Sequence, residues 1–300
     1  WIDKMNHSST ASTQQKVIQI NLRKYTLLYG LSSSHFINDF YQAVLPIFLP
    51  VLIVNLKLSY FEAGLASFLS MIIAAIFQPV VGYYADLHIK RKATIIAGLL
   101  IIGLAVSSIA FANSYIILLL VCIALGFGSS TFHAQSTNLL SMHYPEKKGM
   151  IQGIHGFGGG LGIFAAPIVT GFLIAALGWK LGALLMVIPA IIMAFVASKV
   201  IDEPRIKGGK GFTRGISSDL LLLSLVYGLN VMIVMGFMSF LPTYFFNKGF
   251  SISEAGVLSS IMLFSGLFAQ PIGGHISDLW GRKRIMILSL FLLPFSVYLF

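Results

Sequence analysis

The chain alternates between long apolar stretches and short polar joints. Apolar residues dominate 25–54, 61–86, 93–112, 115–141, 149–176, 181–201, 219–246 and 253–278, and a further apolar run opens at Ile285. Within these stretches they occupy every face of a helical wheel, where a soluble helix would set one apolar stripe against a polar one. At a rise of 1.5 Å per residue, about 20 residues cross a hydrocarbon layer roughly 30 Å thick. The pattern therefore predicts an all-α polytopic membrane protein. Residues 25–201 form a first group of six helices, 202–218 a polar joint, and 219–300 the start of a second group, with helices seven, eight and part of nine. Residues 1–24 are rich in Ser, Thr, Gln and Asn and predict an unstructured tail.

The polar joints are not independent of one another. Gln78-Pro79, Gly82 and Asp86-Leu87 return 192 residues later as Gln270-Pro271, Gly274 and Asp278-Leu279. The basic triplet Lys90-Arg91-Lys92 returns as Arg282-Lys283-Arg284. The same offset carries Asn38 to Asn230, Phe48-Leu49-Pro50 to Phe240-Leu241-Pro242, and Glu62-Ala63-Gly64 to Glu254-Ala255-Gly256. One constant offset across two helices and their joints marks a duplicated unit. Ser59-x-x-Glu62 and its echo Ser251-x-x-Glu254 are capping boxes, and both predict helix starts. Two parallel copies of six helices follow, the second cut short, and the 300 residues alone are not expected to transport.

Charge adds the orientation. Only 10% of the residues are charged, against about 25% in an average soluble domain. Of the 20 Lys and Arg, all but Lys57, Lys180 and Lys248 fall on one side of the predicted membrane, which places the N-terminus and the 202–218 joint in the cytoplasm. The net charge of +10 thus reports topology, and no nucleic-acid partner is expected. The single Cys122 lies inside an apolar run and excludes a disulfide framework.

The paired joints carry more than basic residues. Gly82, Asp86, Lys90 and Arg91 in the first copy, and Gly274, Asp278, Gly281, Arg282 and Lys283 in the second, resemble the signature of the major facilitator superfamily between its second and third helices. Ile89 stands where that signature has glycine. A carboxylate at a helix C-terminus faces the negative end of the dipole and needs a cation, which Lys90 or Arg91 supplies. The glycine one turn earlier admits a neighbouring helix. The joint therefore reads as a gating latch. In the fifth stretch Gly153, Gly162, Ala166-Pro167 and Thr170-Gly171 resemble the superfamily's antiporter signature, with Ala166 and Thr170 in place of two glycines. Generic small-residue packing accounts for the same positions equally well. SHFINDFYQAVLPIFLPVLI and GFGSSTFHAQS are similar to the fosmidomycin-resistance group of efflux proteins. The resemblance implies a fold of two six-helix repeats in a bacterial inner membrane, working as a monomer.

Ionisable groups inside the apolar stretches are few, and each is a functional candidate. His35 and Asp39 lie one turn apart on one face of the first helix. At 1.5 Å per residue from Arg23 they stand about 18 Å and 24 Å along it, within the apolar layer. The resemblance implies that His35, Asn38, Asp39, His133 and Asn230 face a central cavity, and His155 sits near the cytoplasmic start of the fifth helix. No catalytic triad, nucleotide loop or metal-ligand spacing occurs, so no enzyme activity, cofactor or metal is expected. The reading is a secondary active transporter that exports a drug or small metabolite by alternating access, coupled to protons through Asp39 and His35. Packing alone is the rival role for Asp39. Proton-coupled uptake and a non-transporting membrane sensor are the alternatives for the whole protein.

Overall fold

The computed structural model describes residues 25–88, 90–203 and 217–299, and among these every regular element is helical. Helix α1 is Tyr25–Leu56, α2 Tyr60–His88, α3 Arg91–Phe111, α4 Tyr115–His143 and α6 Trp179–Val200. Between α4 and α6 lies α5, Lys148–Leu177. The second group comprises α7, Ser218–Asn247, α8, Ile252–Trp280, and α9, Arg282–Leu299. Helices α1 to α7 are long and apolar enough to cross a bilayer by length and composition, so this is an integral membrane protein. The tail at 1–24, Ile89 and the joint at 204–216 lie outside the described residues.

Both capping boxes form, and with nearly the same geometry. Ser59 donates its backbone N–H to Glu62 at 2.8 Å and accepts from the Glu62 N–H at 3.2 Å. Ser251 and Glu254 repeat the exchange at 2.8 and 3.3 Å. The turns before them match too, since Lys57 and its counterpart Gly249 both take a left-handed conformation, at φ 53° and 94°. A side chain at Lys57 tolerates what glycine adopts freely. The duplication read in the sequence is thus also a duplication of backbone turns.

Two helices begin earlier than their apolar runs predict. The ninth was expected from Ile285 but starts at Arg282, because Gly281 turns the chain at φ 91° immediately after α8. The third was expected near residue 93 but starts at Arg91, because Glu203 caps it from across the bundle. Its carboxylate accepts the backbone N–H groups of Arg91 at 2.7 Å and Lys92 at 3.3 Å. A carboxylate at a helix N-terminus satisfies orphan donors and complements the dipole. The Arg91 side chain is fully buried. Its Nε donates to Asp86 at 2.8 Å, and its Nη1 lies 3.7 Å from Glu203. Asn138 of α4 also donates to Asp86, at 2.9 Å. One buried cation therefore ties the end of α2, the start of α3, α4 and the end of α6 together.

Two apolar clusters fill the first group of helices. One runs from Leu27, Leu28 and Leu31 through Phe132, Leu139, Ile151 and Ala197. The other gathers Tyr41, Val44, Phe48, Leu52, Ile102, Leu118 and Ala190. Along α1 the polar stretch Ser32 to Asp39 separates them. Helix α4 breaks at this level. Thr131 and Phe132 bond back three residues, to the carbonyls of Gly128 and Ser129 at 3.3 Å, and the helix restarts at His133. The Thr131 hydroxyl takes the same Gly128 carbonyl at 2.8 Å, an arrangement that bends helices.

Removing the Glu203 carboxylate should leave Arg91 buried with half its compensation and two N–H groups uncapped. Glu203→Ala is expected to cost about 1–3 kcal/mol of stability. Thermal unfolding of the purified full-length protein checks this, and a melting temperature equal to wild type would contradict it.

Candidate functional site

Five of the six polar residues singled out on the membrane helices meet in one place. His35, Asn38 and Asp39 come from α1, His133 from the restarted half of α4, and His155 from α5. His35 is the hub. Its ring stacks on His155 with centroids 4.2 Å apart, lies 5.4 Å from Phe132 in a near-parallel arrangement, and meets His133 edge-on at 5.2 Å. His35, Asp39 and His155 are 9%, 8% and 3% exposed, so water hardly reaches them.

The hydrogen bonds fix where protons sit. His35 Nδ1 lies 2.7 Å from the main-chain carbonyl of His155. A carbonyl only accepts, so Nδ1 carries a hydrogen. His35 Nε2 then faces Asp39 Oδ2 at 3.1 Å. A neutral imidazole protonated at Nδ1 presents a lone pair there, and an ionised carboxylate presents another. The contact is attractive only when one proton lies between them, carried by the ring as imidazolium or by Asp39 as the acid. Two acceptors facing each other in a dry interior would be strongly unfavourable.

The second carboxylate oxygen is held by amides. Asn38 donates to Asp39 Oδ1 at 2.9 Å and Gln42 at 3.3 Å. The same two amide nitrogens lie 3.3 Å from His133 Nε2, which marks that nitrogen as an acceptor. His155 Nε2 pairs with the Ser136 hydroxyl at 3.1 Å, while its Nδ1 has no hydrogen-bond partner.

His35, Asp39 and His133 also offer ligand atoms within 4.8 Å of one another, a grouping that no sequence spacing announced. A cation would bind between Asp39 Oδ1 and His133 Nε2. The amide N–H groups of Asn38 and Gln42 converge on those two atoms and present positive hydrogens there. The donor set fits a shared proton and a hydrogen-bond net, and does not fit a metal ion.

Helix α5 closes over this cluster without side chains. A Cβ at Gly159 would fall 2.5 Å from Asp39 Oδ2 and 2.6 Å from His35 Nε2, and one at Gly158 would fall 2.5 Å from the Ser32 carbonyl oxygen. At Gly162 it would strike the Phe36 carbonyl. The residues of the antiporter-like signature therefore do different things. Gly162 lets α5 lie against α1, whereas Gly171 and Pro167 meet the backbone of α8 at Ile252 and Gly256. Ala166 is fully buried, and Gly153 faces open space.

Asn230 does not join the cluster and makes none of its hydrogen bonds. Helix α7 buries Ser239, Leu241 and Thr243, while Leu221 to Leu225 and Leu229 stand exposed and Asn230 is half-buried. In the joint signature, a Cβ at Gly82 would lie 3.4 Å from the Ala134 side chain, and Lys90 is exposed beside the Asp86–Arg91 pair. Lys283 is exposed as well, and the side chains of Asp278 and Arg282 and the surroundings of Gly274 lie outside the described residues. Gln42, Phe132, Ser136 and Gly159 escaped the sequence reading. Of these only Gln42 left a signal, one turn beyond Asn38 on the same face of α1.

Seven helices long and apolar enough to cross a membrane among the described residues, in a repeated arrangement and with a buried titratable cluster between helices one, four and five, point to a polytopic membrane transporter. The profile of the Major Facilitator Superfamily matches residues 31–300, and the chain belongs to that superfamily. It is 25% identical over 281 residues to the uncharacterized MFS-type transporter YfnC of Bacillus subtilis, covering 89% of this chain and 68% of that one. It is 25% identical over 291 residues to the fosmidomycin resistance protein of Escherichia coli, covering 92% and 71%. The probable nitrate transporter NarT of Staphylococcus epidermidis is 24% identical over 91% of this chain and 70% of its own. Among solved structures, an inward-facing, occupied bacterial homologue of the lysosomal transporter Spinster aligns with a TM-score of 0.71 at 18% identity, over 85% of this chain and 62% of that one. A D-xylose–proton symporter aligns at 0.67 and 15%, over 86% and 70%. The chain thus spans about two thirds of these relatives. Membership makes the protein a transporter and not an enzyme.

Phe132 walls the cluster from the apolar side and is fully buried. Phe132→Ala is expected to cost about 3–5 kcal/mol, as for other buried aromatic truncations. Phe157→Ala, at a position 47% exposed, should cost far less. Thermal unfolding of the two variants side by side checks the contrast, and equal losses would contradict it.

Proposed function

We propose that this chain is the transport core of a proton-coupled exporter of a small molecule, resident in a bacterial inner membrane with its N-terminus in the cytoplasm. The observation that carries the reading is the His35–Asp39 contact, which requires one proton between two buried groups. A group that must hold a proton when buried, and can lose it when its partner is pulled away, is what coupling to a proton gradient needs. Alternating access supplies the pull, because α1, α4 and α5 all contribute to the cluster and α5 also packs on α8 of the second repeat, so that motion of one repeat against the other reaches α5 directly. Loss of the proton in one state and its recovery in the other would tie each cycle to the gradient.

Export is favoured over uptake by the likeness to the fosmidomycin resistance protein and to the nitrite extrusion protein of Bacillus subtilis. Among the described residues no Lys or Arg reaches the cluster, so an anionic substrate would be met by His133, His155 and the amides of Asn38 and Gln42. On the cytoplasmic side, Asp86, Arg91, Asn138 and Glu203 form the latch that holds the helix ends together while that side is closed.

The test uses full-length protein in liposomes, with fosmidomycin, nitrite, nitrate and nicotinate as probes and an imposed pH gradient. Wild type should move at least one probe in the gradient-dependent, export direction. Asp39→Asn should lose gradient-driven transport by tenfold or more while keeping probe exchange in the absence of a gradient. Undiminished gradient-driven transport in Asp39→Asn would refute the coupling role.

The latch has its own measure. Asp86→Asn leaves Arg91 with one carboxylate and should raise labelling of cysteines introduced on the cytoplasmic halves of α2 and α4. Labelling and transport both equal to wild type would rule the latch out.

A further inference from the structure

The proton reading leaves open what prevents the pair from losing its proton at rest. Two main-chain features of α5 bear on this. The His155 carbonyl accepts from His35 Nδ1 at 2.7 Å, and Gly159, one turn further along, lies where any side chain would touch both His35 Nε2 and Asp39 Oδ2. Neither feature depends on the chemistry of a side chain of α5. The titratable groups that face His35 are Asp39 on its own helix, His133 on α4 and His155 on α5, and the remaining wall is Phe132.

We infer that the backbone of α5, through the His155 carbonyl and the bare Gly159, is the element that holds the coupling proton, and that separation of α5 from α1 is the step that releases it. While the carbonyl accepts from Nδ1, loss of the Nδ1 hydrogen would leave two acceptors facing each other there, and loss of the shared proton would leave two acceptors facing each other at Nε2 and Oδ2. The proton between Nε2 and Oδ2 is therefore locked in place. When α5 withdraws, Nδ1 loses its acceptor, and the Nδ1 hydrogen can leave to water while Nε2 keeps the proton it shared. Imidazole hydrogen-bonded to the carboxylate through Nε2–H then remains, and one proton has departed, leaving an ionised carboxylate held by that hydrogen bond and by the entering water. The atoms balance: the cluster loses one H⁺ and the charge of the pair changes from zero to minus one, at the moment when the opening admits water to the carboxylate.

Close packing makes the separation a discrete event. Gly158 lies on the Ser32 carbonyl and Gly162 on the Phe36 carbonyl, so α5 and α1 touch backbone to backbone on both sides of the lock. Packed interfaces of this kind shift between arrangements and do not deform continuously. His155 and Gly159 act through His35 and are positioning residues. The inference rests on the proton-coupling reading above, so the experiment separates the two.

The experiment is nitrogen NMR of full-length protein in lipid nanodiscs, with ¹⁵N-labelled histidine and His35 assigned by the signals missing in His35→Asn. Wild type should show His35 with a hydrogen on Nδ1 and a shared proton at Nε2. Gly159→Ala places a methyl group between the partners and should abolish the shared-proton signal. Gly160→Ala is the control, since its added carbon meets only the tip of Leu267, and it should match wild type. His155→Phe keeps both the carbonyl and a stacked ring, and should also leave the His35 signals unchanged. A bare Nε2 in wild type would overturn the proton reading and this inference with it. A shared proton in wild type that survives in Gly159→Ala would overturn the α5 inference alone. Should Gly159→Ala fail to fold, a changed His35 tautomer in His155→Phe would overturn it by showing that the side chain, not the backbone, holds the ring.

Discussion

A carboxylate and an imidazole that meet 3.1 Å apart in an apolar interior cannot both be without a proton. Water would soften that constraint, but here the pair is walled by Phe132, by the His155 ring and by the backbone of α5. Much of the surrounding structure follows from it. Asn38 and Gln42 aim donors at the carboxylate oxygen that the proton leaves free. His133 accepts from the same amides, so a second ring is oriented without adding a second positive charge. The break of α4 at Thr131 restarts the helix at His133, which brings that residue to the level of Asp39.

The close approach of α1 and α5 is what makes the site dry, and glycine is what permits the approach. In a membrane there is no hydrophobic drive to bring two helices together, so contact depends on packing and on polar groups that find partners. Gly158, Gly159 and Gly162 let two backbones touch, and the single bond from His35 to the His155 carbonyl gives the contact a chemical register. The same helix then uses Pro167 and Gly171 against α8, whose Gly256 returns the favour. Helix α5 thus touches α1 with one face and α8 of the second repeat with another, which makes it a natural place for the rocking of one repeat against the other to reach the proton.

Much of this fold is legible in the sequence, for physical reasons. Apolar length sets the helices, the 192-residue offset sets the repeat, and the Ser59–Glu62 and Ser251–Glu254 boxes mark helix starts because capping is local. The His35–Asp39 pair is legible because helical spacing alone puts the two on one face. What lies across helices is not. The sequence named His155 for its ring, but its carbonyl makes the decisive bond, and no sequence pattern displays a carbonyl. Gly159 stands in a run of glycines where nothing distinguishes it from Gly160 until α1 is placed against it. Glu203 looks like part of a charged joint and turns out to cap α3 from more than 100 residues away. Asn230, the counterpart of Asn38 in the second repeat, makes none of the cluster's hydrogen bonds, because the cluster is built within one repeat.

The central claim is that substrate movement is coupled to protons, carried by the His35–Asp39 pair, and the coupling can be measured without any substitution. Full-length protein is reconstituted in liposomes carrying a pH-sensitive dye, no gradient is imposed, and a transported probe is added on one side. The account predicts that the dye reports proton movement as the probe crosses, in step with its concentration and absent from protein-free liposomes. Transport of the probe at full rate with no accompanying proton movement would contradict it.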